Sequence, residues 1–208
     1  MLKVWGRNTS SNVQKVMWAI GELGLAYERI DIGGPFGKNN EPAYLAMNPN
    51  GLVPTLEEED GFLLWESNSC VRYIAAKYGA GALEPADLRK RALASRWMDW
   101  QLSTAGPAIF PVFWGLIRTP PEKRDHAAID AGKVKLNAVM KILDGELGKT
   151  PYVAGDAFSM GDIPVAIITY RYRRLMPDRP SNDNLERWYA AIEKKPAFQE
   201  HAVAVPFV

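Results

Sequence analysis

Leu2-Lys3-Val4-Trp5-Gly6-Arg7-Asn8-Thr9-Ser10-Ser11-Asn12-Val13-Gln14-Lys15-Val16 is the stretch on which the fold turns. Leu2, Val4 and Trp5 read as a short strand, and Gly6, Arg7, Asn8 and Thr9 as a polar turn. From Ser10 and Ser11 onward, Val13, Val16, Met17 and Ile20 recur at helical spacing, and Gly24 supplies a C′ stop. A strand therefore runs through a loop into the start of an amphipathic helix. Unpaired N–H groups and the positive end of the helix dipole collect there, which suits an anion. A serine hydroxyl at that point can cap the helix or donate to a bound anion. On this stretch alone, capping is the commoner role.

Outward from the junction, Tyr27, Arg29 and Asp31 alternate with Glu28, Ile30 and Ile32, which gives a second strand and a β-α-β unit with parallel pairing. A loop of Gly33, Gly34, Pro35, Phe36 and Gly37 follows, then one or two helical turns over 42–47. Asn48-Pro49-Asn50-Gly51 marks a turn and Val53-Pro54-Thr55-Leu56 opens a third strand. The charged turn Glu57-Glu58-Glu59-Asp60-Gly61 leads into a returning strand over 62–65. A helix then begins near Glu66, places Cys70, Val71, Ile74, Ala75 and Tyr78 on one face, and ends at Gly79. Cys70 reads as a small core residue there.

The run 79–87 reads as a linker, and everything beyond it as helix. One long helix starts near Leu88, with Gly106-Pro107 and Pro111 expected to bend or break it. A second covers about 125–147. A third opens on the capping box Ser159-Met160-Gly161-Asp162, with Phe158 and Ile163 as its hydrophobic staple. The last helices fall at 184–195 and 197–201. The expected fold class is an α/β N-terminal domain over 1–79 followed by an all-α helical C-terminal domain over 88–208.

Composition removes several functions. The net charge of +1 gives no electrostatic footprint for nucleic acid or an anionic membrane. The most apolar run, 105–117, is interrupted by two prolines and is shorter than the roughly 20 residues a bilayer span needs. The start lacks the apolar run of a signal peptide, and the single cysteine precludes an internal disulfide, so a cytoplasmic setting is expected. With His126 and His201 the only histidines, no zinc-ligand spacing exists and no metal is expected. Neither a Gly-x-Ser-x-Gly elbow nor a Gly-rich phosphate loop is present.

A β-α-β unit, a Val-Pro strand, a hairpin, a helix and then an all-helical half form an uncommon succession. The chain resembles the cytosolic glutathione transferases over essentially its whole length. The resemblance rests on Ser10-x-Asn12-x-x-Lys15-Val16, on Asn48-Pro49-Asn50-Gly51-Leu52-Val53-Pro54-Thr55-Leu56, on Glu66-Ser67 opening a helix, and on the capping box at Ser159–Asp162. Within the family it looks closest to bacterial, serine-type enzymes of the theta or nu kind.

The resemblance implies a thioredoxin-like first domain that binds glutathione as co-substrate, and a homodimer. It implies a cis bond before Pro54, with Val53 pairing to the glutathione backbone. Glu66 and Ser67 match the pair that holds the γ-glutamyl end: Ser67 and the helix N–H groups receive its carboxylate, and Glu66 faces its ammonium. Ser10 matches the residue that donates to the glutathione sulfur. A hydrogen bond to a charged group is worth roughly 1.5–3 kcal/mol, and a helix N-terminus adds about 0.3–1 kcal/mol. At about 1.4 kcal/mol per unit, the two lower a thiol pKa by roughly one to three units. Asn12, in the same turn, is a second candidate for the sulfur contact, and Ser11 for glutathione binding or a plain cap. Leu52 stands where related enzymes carry Lys, Arg or Gln against the glycine carboxylate of glutathione; Lys38 or Asn50 is the candidate replacement. Gly161 stands where alanine is more usual, with no expected functional consequence.

The implied function is attack of the glutathione thiolate on a small hydrophobic electrophile, in a pocket between the domains for which Arg7, Phe36, Phe110, Phe113 and Trp114 are candidate linings. Two other readings remain at this stage. One is a glutathione-dependent disulfide or peroxide reductase, disfavoured by the lack of a cysteine near Ser10. The other is a non-catalytic binding module on the same fold. An isomerase of the zeta type fits less well, because its Ser-Ser-Cys motif is replaced by Ser10-Ser11-Asn12.

Overall fold

The computed structural model describes residues 1–208, which form two compact units. The first comprises Met1–Glu84 together with Lys195–Phe207, and the second comprises Pro85–Lys194 with Val208.

The first unit is built on a four-stranded sheet of order β2-β1-β3-β4. Strand β1 (Leu2–Trp5) runs parallel to β2 (Tyr27–Ile30) and antiparallel to β3 (Thr55–Glu57), which pairs with β4 (Leu63–Trp65). In register, Val4 lies opposite both Arg29 and Leu56. The parallel crossover is helix α1 (Ser11–Glu22) and the antiparallel pair is the expected hairpin. Gly24 ends α1 as expected: its φ is +62°, and the next N–H, of Leu25, bonds to the Ile20 carbonyl at 3.1 Å. A short turn, α2 (Pro42–Leu45), precedes β3.

Helix α3 (Ser67–Tyr78) packs against α1. Val4, Val13, Val16, Trp18, Ile20, Leu56, Val71 and Ile74 lose all their solvent contact. At roughly 1.5–3 kcal/mol for each of the aliphatic ones, this burial is what holds α1 onto the sheet. Cys70 belongs to the same core. Burial pushes its thiol up to about 12, so it is inert at neutral pH. Gly79 ends α3, but not by a left-handed cap, since its φ is −126°. Steric room selects glycine there: a Cβ would lie 3.0 Å from Leu83 Cβ and 3.1 Å from Leu23 Cδ2.

The second unit is entirely helical, with α4 (Leu88–Trp100), α5 (Gly106–Phe113), α6 (His126–Leu147), α7 (Asp162–Leu175) and α8 (Asp183–Ile192). Asp87 and Asp125 cap α4 and α6 by accepting from Lys90 N and Ala128 N. Of the expected bend or break at the prolines, the break does not occur. The backbone stays helical from Leu88 to Arg118 through two π-turns, Gln101–Ala105 and Trp114–Arg118, and the Gly106 N–H reaches back five residues to the Gln101 carbonyl. A wider turn relieves the clash that Pro107 would make with an ordinary i−4 carbonyl. Lys195–Phe207, read from sequence with the helical half, belongs instead to the first unit, where it carries α9 (Pro196–Phe198) and a last π-turn, Gln199–Val203. No helix is long and apolar enough to cross a membrane.

Candidate functional site

The sheet end and the start of α1 meet at Gly6. Its N–H continues the parallel ladder to the Ile30 carbonyl at 2.8 Å, and Arg29 Nη1 donates to its carbonyl at 3.1 Å. Four residues on, Ser10 occupies the N-cap position of α1 with extended φ and ψ of −77° and 123°. Its carbonyl accepts the first helical bond, from Gln14 N at 2.9 Å, yet its hydroxyl makes no capping bond. The commoner role for an N-cap serine is therefore absent. A half-buried serine whose hydroxyl makes no cap stands beside the open N–H groups of the first turn.

The Val53–Pro54 bond is cis. The preceding carbonyl, of Leu52, is held twice, by Tyr44 Oη at 2.7 Å and Asn48 Nδ2 at 2.8 Å. Both side chains also bond to Thr55 Oγ1 and are buried. This clamp is a part of the site that the sequence does not show: Asn48 marks a turn and opens the motif that ends at Leu56, but neither gives its bond to the Leu52 carbonyl. It orders the Val53 segment, and no hydrogen bond in the structure engages the backbone N–H and C=O of Val53. An extended segment with a free donor and acceptor can pair with another extended chain. Gly33 lies along Val53 as well, since a Cβ there would sit 3.3 Å from Val53 Cγ1.

The start of α3 completes the arrangement. Glu66 is exposed and holds a φ of +70°, in the left-handed region that non-glycine residues rarely occupy. Ser67, the first residue of α3, is buried. Its Oγ lies 3.3 Å from Asn12 Oδ1, and Lys15 Nζ lies 3.0 Å from that oxygen and 3.4 Å from Ser67 Oγ. The structure thus joins Asn12 and Ser67 through a buried lysine of α1. Lys15 carries no role in the sequence reading. The signal for one is a charged residue directly before Val16 and Met17 in the apolar spacing of α1, a stretch in which every residue from Val13 to Ile20 is buried.

The other candidates are more dispersed. Ser11 is the first residue of α1, beside Ser10. Lys38 is exposed with a φ of +64°. Its neighbour Asn39 donates to the Gly51 carbonyl at 2.7 Å, which ties the Lys38 loop to the turn before Leu52. Leu52 itself is 64% exposed. Asn50 turns its amide back onto Asn48 Oδ1 at 3.1 Å. Arg7 lies over Gly34, where a Cβ would meet its Nε at 2.8 Å. In the second unit Phe110 and Trp114 are 57% and 53% exposed and stack with centroids 5.5 Å apart, whereas Phe113 lies under the guanidinium groups of Arg118 and Arg171.

Residues 9–77 match the family described as Glutathione S-transferase, N-terminal domain, and residues 106–196 match Glutathione S-transferase, C-terminal domain. The chain is 44% identical over 207 residues, 99% of each chain, to Glutathione S-transferase GstB of Escherichia coli strain K12. Its structure is similar to that of a theta class glutathione S-transferase from the citrus canker pathogen Xanthomonas axonopodis pv. citri with glutathione bound, at a TM-score of 0.94 and 42% identity, covering 100% of this chain and 99% of that one. It is also similar to glutathione transferase F7 from Populus trichocarpa, at a TM-score of 0.87 and 28% identity over 100% of both chains.

Proposed function

Because the chain belongs to the glutathione S-transferase family, we propose that it is a glutathione transferase that holds the glutathione sulfur as a thiolate and directs it at a small hydrophobic electrophile. The observation that carries this reading is the Ser10 hydroxyl, which sits at a helix N-cap and is not engaged in capping. In the proposed complex Ser10 donates to the sulfur, and the first turn of α1 adds its dipole. Asn12, whose Oδ1 is already occupied, offers its Nδ2 to the same region. Glutathione is the co-substrate. Its backbone pairs with Val53 beside cis-Pro54, its γ-glutamyl carboxylate meets Ser67 and the α3 N-terminus, and its ammonium meets Glu66. Ser11 closes the sulfur side, and Lys38 takes the part of the basic residue that Leu52 cannot play. The binding work falls to residues 1–79, and the helical residues from 88 onward select the electrophile. The working form is a cytoplasmic homodimer.

Proton bookkeeping under this reading is simple. The thiol proton leaves to solvent, the S–C bond forms as the leaving group departs or, on an activated double bond, as the π pair moves to a carbon that solvent then protonates, and Ser10 keeps its own proton throughout. No side chain is covalently modified. The buried Cys70 gives no support to a protein-thiol redox route.

The test is conjugation of glutathione to an aromatic halide by the wild type and by Ser10→Ala. Turnover is expected to fall at least tenfold in the variant while immobilised glutathione still retains the protein. Unchanged turnover moves the role away from Ser10, and failure of both proteins to bind glutathione removes the reading altogether.

A further inference from the structure

Resting on that reading of the γ-glutamyl subsite, one buried cation extends it. Lys15 is 2% exposed, and its Nζ reaches Asn12 Oδ1 at 3.0 Å and Ser67 Oγ at 3.4 Å. A lysine ammonium only donates, so the amide oxygen of Asn12 must face it. Asn12 Nδ2 is thereby turned away from Lys15 and left as a donor. The same ammonium engages a lone pair of Ser67, whose proton points to Asn12 Oδ1 at 3.3 Å. A carboxylate arriving at the start of α3 can take that proton, while Lys15 stays behind the hydroxyl oxygen and polarises it. A cation held away from water acts over several ångströms far more strongly than one in solvent.

We propose that Lys15 is a positioning residue. It acts through Ser67, whose hydroxyl it holds as a donor with Asn12 Oδ1 as its own anchor, and it adds a positive charge beneath the place where the γ-glutamyl α-carboxylate binds. A purely structural role as a tie between α1 and α3 is the competing account. The two differ in which ligand group they affect. The charge account concerns one carboxylate, whereas a loosened α1–α3 contact weakens the whole site.

The experiment uses the full chain and two probes, glutathione and γ-aminobutyryl-cysteinylglycine, the same tripeptide without that carboxylate. Affinities are measured by calorimetry for the wild type, Lys15→Met, Lys15→Gln and Lys15→Arg. Wild type is expected to prefer glutathione by roughly tenfold or more. If it shows no preference, the assignment of the carboxylate to Ser67 fails, independently of Lys15. Lys15→Met and Lys15→Gln are each expected to lose about tenfold in glutathione affinity, with KM rising alongside and kcat within about threefold. Their affinity for the decarboxylated tripeptide should change less than about threefold, and Lys15→Arg should keep most of the preference. Parallel weakening toward both probes overturns the proposal, and so does a Gln variant with the full wild-type preference. Should Lys15→Met not fold, the Gln and Arg variants decide it.

Discussion

Gly6 has a φ of +154°, and a Cβ there would lie 2.5 Å from Val13 Cγ2 and 3.1 Å from Val53 Cβ. Three pieces of the site converge on that one missing side chain: the end of β1, the first turn of α1 and the Val53 segment. Gly6→Ala should therefore cost about 2 kcal/mol or more from strain and overpacking together. It should weaken glutathione binding by displacing Val53, which denaturant midpoints and binding titrations of the variant can show. Unaltered affinity would mean that Val53 is positioned by the Tyr44–Asn48 clamp alone. The residues that announce themselves in the sequence are those with unusual local chemistry: serine at a helix start, proline after valine, Glu-Ser before an apolar helix. Lys15 was not legible in the same way. Its charge sits beside Gln14 and one turn from Ser11 and Asn12, as that of a solvated lysine would, and only the approach of α3 shows what its ammonium meets. Asn48 was half legible: its place before Pro49 marks a turn, but its reach to the Leu52 carbonyl depends on how that turn folds back.

Elements were read well where local patterns decide them and less well where packing does. The β-α-β unit and the hairpin follow from spacing and end signals. The prolines at 107 and 111 leave bend or break open in the sequence, and π-turns carry the helix through without a break. The start of α7 shows both sides. Asp162 reaches back to Ser159 N at 2.9 Å as a capping box requires. The Ser159 hydroxyl, however, accepts from Gly161 N at 3.3 Å rather than from Asp162 N, which bonds to the Ser159 carbonyl. The second oxygen of Asp162 holds Val153 N at 3.1 Å and Trp188 Nε1 at 2.9 Å. Gly161 proves to be a packing requirement. A Cβ would lie 2.7 Å from Ala94 O and 2.8 Å from Ala94 Cα, on the backbone of α4. Alanine gains at most about 1 kcal/mol of helix propensity, against about 1–3 kcal/mol for forcing α4 aside. Gly161→Ala should thus lower Tm by a few degrees with kcat little changed. A raised Tm would show that α4 yields without cost.

For the molecule as a whole, the informative segment is Lys195–Phe207, which joins the first unit from the far end of the chain. Phe198 meets the fully buried Trp18 with centroids 4.8 Å apart, Lys195 pairs with Glu22 at 2.5 Å, and His201 fills the space beside Gly21. Helical periodicity near 200 said that a helix forms, but it carries no information about which body that helix covers. Burial lowers the pKa of His201 below its ordinary 6.5, and nearby Glu200 offsets only part of this. The folded chain therefore holds His201 neutral while the unfolded chain takes up a proton. The stability it contributes is full above pH 6.5 and is lost as pH falls through the folded value. Urea unfolding at pH 7.5 and pH 5.5 should show a smaller acid loss in His201→Gln than in wild type, and equal losses would assign that slope to other groups.

The central claim concerns the charge on a bound sulfur, and it is read most directly by following thiolate absorbance of the glutathione complex against pH. In the wild type the thiol should titrate roughly one to three units below the free value of about 8.5. Ser10→Ala should raise that pKa by at least about one unit while glutathione affinity at a pH below both values changes less than about threefold. Identical titration curves for the two complexes would contradict the account.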